Sequence, residues 1–445
     1  MSTHHATPTS PNADAGSGLW QSGAIQRWLT AVFFAVTVML HDVGLVVALG
    51  MALVAMVAMV AMVAWVVGRG RAQGNCRWTP DDTVLSVTFA SPFVFKLVSA
   101  SWSQVPAFGL ENAGWHFALI LWPLVLVFYA MSPRSASLLV VDRVGAALLL
   151  VVGAWACASL QGWGIPNPMF LGRFHLNSGV YSQMIAVLVV WALLAATRPD
   201  APPFSRIVQG AAWLLGMWLI VWMNRRIELL AALAALAGVA YWRWGRGIGG
   251  AKVLLIALAF GAVTVWGLFA FVPKFSLAVH QAQSFFAATE MTANPLGSAD
   301  TRLEMYGRAW KAFLDSPWWG YGSGVRPYLL GEYAVVFNGD PSLFPHRHFH
   351  SMWVEMLVEG GIVWTVFALA ALAWSLWITV MKGFARAPEV SLSLAAVWWV
   401  YGVEGLTSAN LVYGAPTVFW VVSTALLWSI KRQVILAPAE APPTH

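Results

Sequence analysis

The chain has 445 residues, of which 59% are hydrophobic and 10% charged, with a mean hydropathy of +0.69. A soluble domain carries about 25% charge, so this composition excludes a water-soluble globular protein and requires most of the surface to face lipid. The formal net charge of +6 is no nucleic-acid signal, because it comes from basic loops between apolar runs. Cys76 and Cys157 lack the spacing of a zinc site.

Residues 1–26 are rich in Ser, Thr, Pro, Ala and Gly and read as a disordered cytoplasmic tail. No basic segment precedes an apolar core there, as a cleaved signal would require. A helix crossing a hydrocarbon layer of about 30 Å needs roughly 20 apolar residues. Twelve candidate runs follow, near 28–41, 44–67, 83–103, 114–132, 144–161, 178–196, 207–223, 227–242, 252–272, 352–381, 391–409 and 415–430. The predicted fold class is an all-α polytopic membrane protein of about 12 transmembrane helices. Spans one to nine occupy 27–272, a long loop 273–351, spans ten to twelve 352–431, and a second cytoplasmic tail 432–445.

Lys and Arg concentrate in cytoplasmic loops. With the N-terminus inside, every inside segment holds at least one basic residue, and together they hold most of the 25 in the chain. Both termini then lie in the cytoplasm and 273–351 is the one long outside loop. Within it, the spacing of Leu303, Tyr306, Trp310 and Phe313, with Leu314 beside them, predicts an amphipathic helix over 299–314 on the membrane face. Ser316-Pro317 and Gly320 end it.

The candidate chemistry follows in chain order. Lys96 lies inside the third span, where a charge is expensive; it either snorkels or pairs inside the bundle, and the sequence shows no clear partner. Arg173 precedes the sixth span and reads equally as a phosphate ligand or a head-group anchor. Arg225 and Arg226 close a very short outside turn at a helix start. Guanidinium pairs grip phosphate oxygens in a bidentate fork, and free N–H groups at a helix start favour an anion. The competing reading is snorkelling and pairing with Glu228. The run from Gly320 to Gly324 reads as a turn that brings the loop to the membrane surface.

The densest polar cluster contains His346, His348 and His350, just before the tenth span. A neutral imidazole there can take a proton from a sugar hydroxyl; the alternative is that it simply meets lipid head groups. Ser351, Glu355 and Glu359 share one helix face, so a carboxylate one turn below an imidazole can fix its tautomer. No acidic residue adjoins the histidines, so no metal site is expected.

The segment 300–365 resembles the O-antigen ligase and polymerase superfamily. The resemblance rests on Thr301-Arg302, Trp310, the run from Ser316 to Gly324, His350-Ser351 and Glu359-Gly360-Gly361. The ligase pattern is His followed by Asn, Ser or Gln, then nine residues and Gly, which His350, Ser351 and Gly361 meet. It continues with two threonines, of which Trp364-Thr365 supplies only the second. The stretch from Arg226 is similar to the Ser-Arg start of a span in these enzymes, with Arg225 in place of Ser.

The resemblance implies a GT-C-like membrane glycosyltransferase of the bacterial inner membrane, with a periplasmic active site. It would move a glycan from undecaprenyl diphosphate to lipid A–core oligosaccharide among the membrane lipids, by an inverting step without metal or other cofactor. Arg226 and Arg302, with Arg225 or Arg173, would hold the diphosphate, and His350 would act as base, supported by His346, His348, Ser351 and Glu355. An O-antigen polymerase and a protein O-oligosaccharyltransferase share that donor and differ in acceptor. A polyprenyl-linked sugar transporter is the alternative from another class.

Overall fold

A computed structural model describes residues 30–31, 78–130, 138–161, 178–223, 225–271, 298–331, 349–408 and 414–436. The expected first two spans, apart from Thr30 and Ala31, the N-terminal tail and the C-terminal tail beyond Leu436 lie outside these residues. Every described element is helical. In chain order they are α1 (Pro80–Ser99), α2 (Pro106–Trp115), α3 (Trp122–Ala130), α4 (Leu138–Leu160), α5 (Ser178–Ala196), α6 (Pro203–Trp222) and α7 (Arg226–Ile248). Then come α8 (Gly250–Phe271), α9 (Ser298–Asp315), α10 (Arg326–Gly331), α11 (Met352–Leu376), α12 (Pro388–Glu404) and α13 (Gly414–Leu436).

Six of the described helical segments are long and apolar enough to cross a membrane. Pro106–Gly114 and Phe117–Tyr129 form a further pair bent by 41°, where the sequence predicted one straight span near 114–132. The bend falls at His116, whose imidazole Nδ1 meets the Asn112 carbonyl at 2.8 Å.

α5 is the axle of the bundle. Met184 to Leu194 are all buried, as expected of a helix apolar on every side. It packs on α4, α6, α7 and α12. Gly216 of α6 lets that helix close on Val189 and Leu149; an added Cβ would lie 2.4 Å from Val189. Aromatic stacking fixes a second layer: Phe89 of α1 lies 5.0 Å from Trp122 and 4.8 Å from Trp420 of α13.

At one end of the bundle Asp142 pairs with Arg198 at 2.8 Å, Arg243 with Glu389 at 2.6 Å, and Lys382 with Asp81 at 2.6 Å. These residues come from segments that the Lys and Arg pattern assigns to one common side. α13 continues through Leu436, beyond the expected helix end at 430. Lys431 and Arg432 are thereby buried rather than free in a tail. The Lys431 ammonium donates to the Thr379 and Val380 carbonyls, each at 2.8 Å, in a π-helical turn after α11.

The amphipathic helix expected at 299–314 is α9, one residue longer at each end. Met305, Ala309 and Ala312 are buried against Val325, Phe349 and Val358, while Trp310 and Leu314 are exposed. Two alanines one face apart allow close approach to α11, and the bulky Trp310 turns outward.

Candidate functional site

The other end of the bundle gathers the helix start of α11, the C-terminus of α12, the start of α7 and the helix α9. The chain enters α11 through His350, the only non-glycine residue with positive φ among the described residues, at 54°. That conformation costs a non-glycine residue about 1–2 kcal/mol, and it persists only when neighbours over-determine it. Before His350, Phe349 is fully buried and its N–H donates to Glu355 Oε1 at 3.1 Å. The His350 carbonyl accepts from the Tyr306 hydroxyl at 3.3 Å. After it, Ser351 caps α11 by accepting from the Val354 N–H at 3.3 Å and donates to the Gly405 carbonyl at 3.2 Å. The Met352 N–H donates to the same carbonyl at 2.9 Å.

Arg225 is the N-cap of α7 and Arg226 its first residue. Arg302 sits on α9, and its charge and that of Arg226 act on each other. Arg302 also acts on Glu228 and on Tyr306 one turn along α9. Glu228 is buried, accepts a hydrogen bond from the Ser182 hydroxyl and lies in the field of Arg225. Desolvation raises the Tyr306 phenol above its ordinary pKa, with Arg302 partly offsetting the rise. Tyr306 therefore stays a hydrogen-bond donor across neutral pH.

The structure thus brings Arg225, Arg226, Arg302 and the His350 segment to one end of the bundle. Arg173, His346 and His348 lie outside the described residues. Ser351 serves as a helix cap. Glu355 lies in the first turn of α11. Its carboxylate takes the Arg326 guanidinium, Nη1 to Oε1 at 3.1 Å, together with the Phe349 amide.

Sequence reasoning missed the network below. Lys96 of α1 pairs with Glu359 of α11, 263 residues later. Arg326, fully buried, reaches both acids, with Nε 3.5 Å from Glu359. Glu359 also accepts from the Gly324 N–H at 3.1 Å and from Asn112 at 3.4 Å. Two cations and two carboxylates therefore balance in the interior. The available signal was Lys96 itself, since a charge inside a span needs a partner, and the Glu355/Glu359 stripe faced it.

The glycine-rich run is not a surface turn. It is wedged between α1, α2 and α11, with Gly320, Gly322 and Gly324 all at positive φ. The Tyr321 and Gly322 N–H groups donate to the Val358 and Glu359 carbonyls at 3.0 and 2.9 Å. α11 kinks at Gly361, φ 59°, where the Ile362 and Val363 N–H groups turn to the Pro317 and Trp318 carbonyls. The kink frees backbone groups of α11 and the loop satisfies them.

A cavity of about 850 Å³ opens beside this network. Its walls are largely apolar, including Phe89, Phe95, Trp353, Trp364, Trp398 and Trp399. Lys96, His116, Glu355 and Glu359 supply its polar part. Such a space accommodates a long apolar chain with a polar group at one place.

No match is found among curated proteins. Residues 210–369 match the family model described as O-Antigen ligase. The matched stretch contains Arg225, Arg226, Arg302, His350, the two buried glutamates of α11 and the kink glycine. It supports a ligase- or polymerase-type function of a glycosyltransferase kind, on lipid-linked glycans, in a membrane protein. Over those residues the chain is similar to the O-antigen ligase family.

Proposed function

We propose that the protein is an O-antigen ligase that transfers a preassembled glycan from undecaprenyl diphosphate to lipid A–core oligosaccharide, at the periplasmic face of a bacterial inner membrane. The observation that carries this reading is the grouping of Arg226 and Arg302, 76 positions apart in the chain, at the bundle end that also holds the His350 turn. Two guanidiniums that repel each other are stabilised by an anion between them, and a diphosphate offers oxygens to both. Arg226 and Arg302, aided by Arg225 and, from the outside turn before α5, Arg173, hold the diphosphate and offset the charge that develops as it leaves. The His350 imidazole accepts the proton of the attacking sugar hydroxyl. Attack on the anomeric carbon from the face opposite the diphosphate inverts that centre. The arginines take the place a cation would fill, so the reaction is metal-independent. The apolar cavity gives a polyprenyl or acyl chain a place beside the site.

The test is transfer in proteoliposomes from an undecaprenyl-diphosphate glycan to purified lipid A–core. The wild type is expected to work in chelator, and His350→Ala to lose transfer by about 100-fold or more, the range of a removed general base. Full activity of a well-inserted His350→Ala variant, or activity that chelator abolishes and a divalent metal restores, would overturn the reading.

A further inference from the structure

The strained His350 backbone is held from two directions by groups that never touch a substrate in the proposed reaction. We propose that Tyr306 and Glu355 are positioning residues that set the left-handed turn at His350 and so aim its imidazole; this rests on the reading of His350 as the base.

Tyr306 and Arg302 sit one turn apart on α9, so they share a helix face. The Tyr306 hydroxyl spans from α9 to the His350 carbonyl at 3.3 Å and to the Leu406 carbonyl at 3.4 Å. One proton is shared between the two strands of chain that flank the entrance to α11. The arginine assigned to the donor and the anchor of the base are thereby built into a single rigid element. α9 itself is fixed by the small core of Met305, Ala309, Val325, Phe349 and Val358.

Glu355 holds the opposite side. It fixes the Phe349 amide, one residue ahead of the turn, and is in turn fixed by Arg326. Arg326 also contacts Glu359, which binds Lys96 of α1. The turn is thus referenced to the buried network on one side and to α9 on the other. A residue at positive φ relaxes when either reference is lost, and its side-chain direction changes with φ.

The experiment separates positioning from folding and from the reading it rests on. Donor binding and single-turnover transfer are measured for Tyr306→Phe, Glu355→Leu and Glu355→Gln, with His350→Ala as reference. Tyr306→Phe keeps the ring and loses only the hydroxyl. It is expected to bind undecaprenyl diphosphate with wild-type stoichiometry and affinity while transfer slows on the order of 10-fold, the worth of one hydrogen bond at a placed group. Glu355→Gln keeps an oxygen for the Phe349 amide and is expected to transfer at least about 10-fold faster than Glu355→Leu. Wild-type transfer by Tyr306→Phe, or equal rates for the two Glu355 variants, with His350→Ala inactive, would overturn the positioning role and leave the base assignment standing. Full transfer by His350→Ala would instead remove the base assignment.

Discussion

Gly361 shows how much a single residue decides. Its φ is 59°, and a Cβ there would lie 2.5 Å from the Trp318 carbonyl carbon. Gly361→Ala therefore meets both left-handed strain of about 1–2 kcal/mol and a backbone clash. It is expected to lower the melting temperature in detergent well below wild type. Gly402→Ala in α12, where nothing lies within 4 Å, is the near-neutral control. Lys96 makes the complementary point. Lys96→Met leaves Glu359 short of a counter-charge in the interior and is expected to cost roughly 3 kcal/mol or more. Adding Glu359→Leu to Lys96→Met removes the uncompensated acid and should recover part of that loss in the same unfolding assay. The need for a partner was legible in the sequence, because an intramembrane lysine is expensive. Its identity was not, since the pairing of α1 with α11 is set by helix packing and the glycine-rich wedge. The role of Gly361 was legible only as the end of a motif; the reason for it is the turn it touches.

Among the elements, α9 was readable to within a residue at each end because its apolar spacing and its Ser-Pro stop are local signals. Which side it buries was not readable. Close approach to α11 selects Ala309 and Ala312 for the buried side and leaves Trp310 exposed. Ala309→Leu should overpack this contact at about 1–3 kcal/mol and loosen the Tyr306 hydrogen bond with it. Trp310→Ala should leave folding stability nearly unchanged, as expected for an exposed position. Protease accessibility of α9 in detergent distinguishes the two outcomes. The bent pair α2 and the segment leading to α3 was also hidden. Period and length alone favour a straight span, and the break falls where His116 bonds the Asn112 carbonyl and Asn112 donates to Ser323 of the wedge.

For the whole molecule, the Lys and Arg pattern predicted which helix ends belong together, and the ion pairs at one end join the segments it grouped. The opposite grouping of Arg226, Arg302 and His350 could not be read from spacing, since 76 and 48 positions separate them along the chain. It arises because α7, α9 and α11 meet at one end. The proposed sidedness makes a direct prediction. In a background lacking Cys76 and Cys157, Lys311→Cys should react with a membrane-impermeant maleimide in spheroplasts, and Lys382→Cys only after permeabilisation. Equal labelling of both before permeabilisation would contradict it.

Arg226 and Arg302 are taken to grip one and the same diphosphate. A double-mutant cycle on undecaprenyl diphosphate affinity, using Arg226→Ala, Arg302→Ala and the pair, measures this most directly. Each single change is expected to weaken binding on the order of 10-fold, and the double variant to depart from the product of the two, as groups sharing a ligand do. Single variants with wild-type affinity, or losses that multiply as for independent sites, would contradict a shared diphosphate.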